Sequence, residues 1–354
     1  MKEIQDLVSL SKYAGERFDL VQAGGGNSSV KLNNGTMLIK ASGFLLSDVE
    51  EHSGYAKVNT AKIAKIVKNE EIISSNDKRY RERLASILVK EATVDINNRP
   101  SIETLLHSLL YKYTLHTHPI VVNMIVNKND WKVVLKTIFK EEIVLIEYQT
   151  PGIELALALY TEISKYEKIP KIIFLQNHGL IITSDNMQEI KFLKEYVLNT
   201  IECYLHIDLD KYKVTNIVST LVNQISGQNS IAYLSNDIDL NMFIMQDKNL
   251  FLKTPFCPDS LVYCGICAVE ITDIKDSKPI QEYQNTYYET PKILLFNNKI
   301  YIIAQNIKKA KEIEDALRFH IIVLENNSEN TNFLEFEELA YLMNWEAEKY
   351  RQKI

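Results

Sequence analysis

The chain has 354 residues, with 40 basic and 46 acidic side chains, a formal net charge of −6 and 46 % apolar residues. That balance excludes a disordered chain and leaves no basic stripe for nucleic acid, and no uncharged apolar run reaches membrane-spanning length. The length predicts two domains, and an N-terminus with acids at Glu3 and Asp6 but no apolar core predicts a cytoplasmic protein without a signal peptide.

Residues 4–18 read as an amphipathic helix, with Leu7, Leu10, Tyr13 and Ala14 at helical spacing. Three consecutive glycines follow, Gly24-Gly25-Gly26, then Asn27-Ser28-Ser29. They suit either a flexible turn or a nest of backbone N–H groups around an anion. Asn34-Gly35 between residues 29–33 and 36–40 is a strong hairpin signal. The second strand runs into Lys40-Ala41-Ser42-Gly43, a set that fits a phosphate as well as an ordinary turn. Residues 58–98 carry charged patches and read as solvated helices and loops without chemistry. Arg99-Pro100-Ser101 then opens a predicted helix through Tyr111, its buried stripe being Ile102, Leu105, Leu106, Leu109 and Tyr113. Glu103 and His107, four apart, share another face, and Glu103 lies in the first turn, where the helix dipole favours a carboxylate.

The stretch Leu115-His116-Thr117-His118-Pro119 reads as a strand ended by proline, so His116 and His118 point to one face. A short helix through Val126, a strand over residues 142–148 and a helix over 153–166 follow. The strand at 171–175 leads into Asn177-His178-Gly179 and a return strand at 180–183. Three neutral imidazoles meeting at one point suit Zn²⁺ or another first-row divalent ion, with a position left open for substrate. Asp185 and Gln188 resemble a capping box for a long helix marked by Ile190, Leu193, Val197, Ile201 and Leu205.

A polar stretch over residues 214–238 marks the predicted boundary between domains 1–213 and 214–354. Beyond it, residues 242–245 and 250–253 read as strands. Cys264-Gly265-Ile266-Cys267 lacks a second C-x-x-C and a nearby histidine, so the cysteines read as free thiols. Residues 170–177 resemble residues 291–298 at an offset of 121 (291 − 170), which places Lys299 where the first copy has His178. The C-terminal domain reads either as a degenerate repeat without metal ligands or as one more strand–turn–strand–helix unit of like composition, closed by one helix or two over 336–350 with Trp345 available for docking. The alternation of hairpins and amphipathic helices predicts an α/β fold: a mainly antiparallel sheet between helical layers, then a smaller α/β domain.

In order along the chain, Gly24-Gly25-Gly26-Asn27-Ser28-Ser29, Lys40-Ala41-Ser42-Gly43, Pro100-Ser101-Ile102-Glu103, His116-Thr117-His118-Pro119 and Asn177-His178-Gly179 resemble the class II aldolase/adducin family over residues 1–210. Residues 100–107 and 258–265 are similar to the aldolase half of bifunctional rhamnulose-phosphate aldolase/alcohol dehydrogenases, without a Rossmann fingerprint for the second half. The resemblance implies a three-layer α/β/α catalytic domain. It implies a metal (Zn²⁺, or Mn²⁺, Co²⁺ or Fe²⁺) on His116, His118 and His178, with Glu103 as fourth ligand or as acid/base. It implies a phosphate site of Gly26, Asn27, Ser42, Gly43 and Ser101, with Lys40 adding charge. Ile102 departs from the pattern, since simple fuculose-phosphate aldolases carry a second serine there, and their proton-donor tyrosine has no counterpart, Tyr148 lying on a different motif.

The implied activity is a lyase that cleaves or forms a ketose 1-phosphate through a metal-stabilised enediolate, giving dihydroxyacetone phosphate and an aldehyde. A 4-epimerase or a dehydratase would use the same metal site, and a non-catalytic adducin-like scaffold would have lost the histidines that this chain retains. The implied partner is a small sugar phosphate, with no nucleic acid or membrane, in a homo-oligomer that family resemblance makes a tetramer.

Overall fold

The computed structural model describes residues 2–95, 98–140, 143–327 and 330–344, with no side-chain description beyond 342. Glu142 of the predicted strand and Trp345 lie outside the described residues. The chain divides into two units, Met1–Leu209 and Asp210–Ile354.

In the first unit the order is α1 (Lys2–Gly15), β1 (Asn27–Lys31), β2 (Thr36–Lys40), β3 (Tyr55–Asn59), α2 (Thr60–Ile66), α3 (Glu70–Ser74), α4 (Lys78–Glu91) and α5 (Thr104–Ser108). It continues with β4 (Tyr113–Thr117), α6 (Ile120–Val126), α7 (Trp131–Ile138), β5 (Ile143–Ile146), α8 (Ile153–Ile163), β6 (Ile172–Leu175), β7 (Gly179–Ser184) and α9 (Met187–Leu205). The strands form one seven-stranded sheet in the order β3-β2-β1-β4-β7-β6-β5, antiparallel except for the β5–β6 pair. The expected mainly antiparallel sheet between helices is the fold observed.

Alternation along the strands explains the three layers. In β6, Ile172 and Phe174 join the core under α1, α6, α7 and α9, while Ile173 and Leu175 join the core under α2, α5 and α8. A strand apolar on both faces must be covered on both. The Asn34-Gly35 hairpin forms as expected: Gly35 takes φ +80°, and Leu32 N–H donates to Thr36 O at 2.8 Å.

Several elements differ from their sequence reading. The helix expected over residues 99–111 is only α5: Pro100 is taken up in an isolated bridge with Ala41, and residues 102–103 form a turn before the helix starts at Thr104. Ile102 is consequently 54 % exposed rather than core, and Tyr113 belongs to β4. The cap of α9 is Asn186, which accepts from Gln188 N–H at 2.9 Å, while Asp185 accepts from Lys112 N–H at 3.0 Å.

The second unit runs α10 (Asp210–Ser226), β8 (Ile231–Leu234), α11 (Ile238–Gln246), α12 (Pro258–Cys264), β9 (Val269–Glu270), α13 (Lys278–Tyr287), β10 (Ile293–Phe296), β11 (Lys299–Ala304), α14 (Ile307–Asn327) and α15 (Phe336–Asn344). The polar stretch read as a boundary is partly α10, which buries Thr215, Val218, Ser219 and Val222. Residues 242–245 are helical, not a strand. Asp237 caps α11, and Leu240, Phe243 and Ile244 bury one helical face. Residues 250–252 lie in a 3₁₀ turn. The sheet order is β8-β11-β10-β9, with β11 antiparallel to both neighbours and β9 parallel to β10. Strands β4-β7-β6-β5 have that same order and those same directions. All four cysteines are free.

Candidate metal centre

Strand β4 positions the first two histidines. Leu115 packs into the layer of α1, α6 and α9, so His116, next along the strand, faces the layer that holds α5. His118 lies just beyond the strand, its N–H donating to Leu20 O at 2.9 Å. The β6–β7 turn supplies His178. Asn177 takes φ +52°, and His178 N–H donates to Leu175 O at 3.2 Å. Glu103 is the N-cap of α5 and is 8 % exposed.

These four side chains converge. One potential ligand atom from each of Glu103, His116, His118 and His178 lies within 4.8 Å of all the others, and the imidazole centroids are 4.8–5.1 Å apart. Among the described residues no other His/Cys/Asp/Glu group gathers in this way. His116 Nδ1 lies 2.8 Å from Glu103 Oε2, and His178 Nε2 lies 3.6 Å from Glu103 Oε1.

Charge and protonation favour a cation. Burial would raise the Glu103 carboxyl, but His116, by charge and hydrogen bond, with His107 and His178, holds it down to about 2. It is therefore ionised, and His116 Nδ1–H is the donor to it. Burial, reinforced by His116 and His178, lowers His118 to about 3, and burial with His116 lowers His178 to about 4. Neutral imidazoles with free lone pairs result. Among the described residues, the buried Nε2 atoms of His116 and His118 have no hydrogen-bond partner. Unpartnered buried nitrogens beside an ionised carboxylate fit a divalent metal, and the three-imidazole, one-carboxylate donor set suits Zn²⁺ or a similar first-row ion.

The glycine loop is built against this centre. A Cβ on Gly25 would lie 2.8 Å from His118 Nδ1, and one on Gly179 would lie 2.3 Å from Thr117 O and 3.0 Å from His118 Cδ2. Gly26 takes φ +76°. Beside the histidines opens a cleft of 860 Å³, lined by Gly26, Lys40, Ser42, Gly43, Ser101, Glu103 and His118 among others. Lys40 donates to Phe44 O at 2.8 Å, and burial lowers its amine below the ordinary range. Asn27 does not line the cleft. Its side chain is buried and accepts from Ser28 N–H at 2.9 Å.

Two features went beyond the sequence reading: the burial and Ser29 contact of His107, and the role of helix α4. His107 is fully buried, with Nδ1 2.7 Å from Ser29 Oγ, and burial lowers it to about 3. Helix α4, read as solvated and without chemistry, lines the cleft with Glu82, Ala85, Ser86, Val89 and Lys90. The spacing of those residues on one helical face was the available signal.

The family described as class II aldolase and adducin N-terminal domain matches residues 5–205. The chain belongs to this family. Among solved structures it is similar to the N-terminal class II aldolase domain of a conserved protein from Thermoplasma acidophilum, at 24 % identity, TM-score 0.49, and coverage of 57 % of this chain and 93 % of that one. It is also similar to L-fuculose-1-phosphate aldolase from Thermus thermophilus (16 %, TM-score 0.37, 57 % and 94 %) and to a sugar-phosphate aldolase from Thermotoga maritima (14 %, 0.38, 58 % and 94 %). No curated protein matches the chain. No helix among the described residues is long and apolar enough to cross a membrane.

Proposed function

We propose that the chain is a metal-dependent aldolase that cleaves or forms a ketose 1-phosphate, giving dihydroxyacetone phosphate and an aldehyde. The observation that carries the reading is the convergence of Glu103 with His116, His118 and His178 beside a cleft bearing Ser42, Gly43, Ser101 and Lys40. His116, His118 and His178 would hold the divalent ion, with Glu103 as fourth ligand or as acid/base. When bound, that ion supplies Lewis acidity to a substrate carbonyl and hydroxyl.

The chain's own residues do the rest. Glu103 orients His116 through the 2.8 Å contact and is the carboxylate placed to carry a proton to or from the substrate carbon beside the carbonyl. The hydroxyls of Ser42 and Ser101, the backbone of Gly26 and Gly43, and Lys40 hold the phosphate and fix orientation without reacting. Asn27 shapes the loop through Ser28. The unit ending at Leu209 is the catalytic domain of a cytoplasmic homo-oligomer.

The second unit carries no catalytic metal in this reading. Aligning β11 with β7 at the offset of 121 residues (301 − 180) pairs Tyr301 with Leu180, and their partners Leu234 with Thr117. Tyr233, Ser235 and Lys299 then stand where the first unit has His116, His118 and His178. A protonated lysine is a poor zinc ligand.

The test is a screen of ketose 1-phosphates for dihydroxyacetone phosphate release, with metal analysis of the purified protein. Release that stops on chelation and returns with metal is the expected result. An inverted sugar phosphate, or loss of water without cleavage, reassigns the chemistry to an epimerase or a dehydratase. Absence of bound metal makes the chain a scaffold.

A further inference from the structure

Helix α4 brings charge to the cleft. Glu82, Ala85, Ser86, Val89 and Lys90 all line it, and Thr93 beyond the helix extends the same face. The helix is fixed in place: Glu82 Oε2 accepts from Ile153 N–H at 3.0 Å, and Arg81 pairs with Glu154 at 2.8 Å. Gly152 lets Glu82 approach, since a Cβ there would lie 2.4 Å from its carboxylate. Beyond the helix, Ser42 N–H donates to Arg99 O at 2.9 Å, so Arg99 runs directly alongside the Ser42-Gly43 turn.

The charges in the cleft are unequal. Among the described residues its carboxylates are Glu82 and Glu103, the first committed to the start of α8 and the second to His116. Its cations are Lys40, Lys90 and Arg99, and among the described residues neither Lys90 nor Arg99 forms an ion pair. Ile102, exposed in the same wall, offers no donor. A phosphate dianion presents more acceptor positions than two serine hydroxyls satisfy, and a guanidinium meets them as a two-pronged donor.

We propose that Lys90 and Arg99 clamp the phosphate of the substrate, which makes helix α4 together with Arg99 the specificity element for a phosphorylated rather than a neutral sugar. This rests on the sugar-phosphate reading of the cleft. The clamp is electrostatic and forms no bond to the reacting carbons.

The test is calorimetric titration of the metal-loaded protein with glycerol 3-phosphate, with glycerol as the uncharged control. Lys90→Met and Arg99→Gln should each weaken glycerol 3-phosphate binding roughly tenfold, as for loss of one charge-assisted contact. Arg99→Lys should recover only part of the loss, and Arg79→Gln, on the same helix but outside the cleft, should bind like wild type. Wild-type affinity in both Lys90→Met and Arg99→Gln overturns the clamp, while a simultaneous loss in Ser42→Ala leaves the phosphate reading standing. Equal binding of glycerol and glycerol 3-phosphate by wild type overturns both. Tenfold losses in a protein that releases no dihydroxyacetone phosphate support the clamp and remove the aldolase reading alone.

Discussion

Gly25 leaves the His118 ring its place: a Cβ at position 25 would sit 2.8 Å from His118 Nδ1 and 3.0 Å from Gln22 O. The glycine loop thus sets the position of a metal-site imidazole. Gly25→Ala must displace the ring or the loop, because the backbone oxygen blocks the other side. We expect a folded protein whose zinc affinity falls about tenfold or more, by analogy with the loss of groups that orient ligands. Competition with a chromogenic chelator measures it, and unaltered affinity would show that the ring moves freely.

His116→Ala and His178→Ala should each abolish stoichiometric metal binding, since each removes one of three imidazoles from a four-donor set. Metal content after gel filtration is the readout. A full metal complement in either variant excludes that histidine as a ligand.

Glu103→Gln keeps the side-chain shape and removes the charge. Dihydroxyacetone phosphate release should fall by roughly 10²-fold, as for a lost general acid or base. Metal content in the same sample separates a lost proton carrier from a lost ligand.

Lys194 is 0 % exposed, and its amine donates to Thr117 Oγ1, on the strand between His116 and His118. Burial lowers it to about 7, against about 10.4 in an unfolded chain. Between those values the unfolded state binds more protons at this position, so stability conferred on the wild type rises with pH. The stability difference should therefore move against Lys194→Met as pH is raised from 7 to 10, followed by urea unfolding of both proteins. A difference that does not change with pH would show that Lys194 titrates normally.

Asn186→Ala should destabilise the first unit by about 1 kcal/mol, the usual cost of a lost helix cap, whereas the exposed Asp185→Ala should stay within about 0.5 kcal/mol. Thermal melts of both variants decide between the two positions.

Much of the site was legible in sequence because its information is local. His116 lies on β4 and His118 just past its end before Pro119, and the tight turn that carries His178 has Asn177 at φ +52°. The hairpin at Asn34-Gly35 and the alternating faces of β6 follow from backbone chirality and side-chain periodicity. What only the tertiary structure decided depends on contacts between distant segments. Ile102 reads as core by spacing, yet the pairing of Pro100 with Ala41 turns it into the cleft. Residues 242–245 carry enough apolar side chains for a strand, and burial of Leu240, Phe243 and Ile244 on one face makes them helix. Helix α4 reads as a solvated surface element because of its charged run at residues 78–83, and its anchoring to Ile153 and Glu154 brings it to the cleft. Periodicity specifies which face of an element is apolar, whereas the partner opposite that face is chosen by packing across the whole chain.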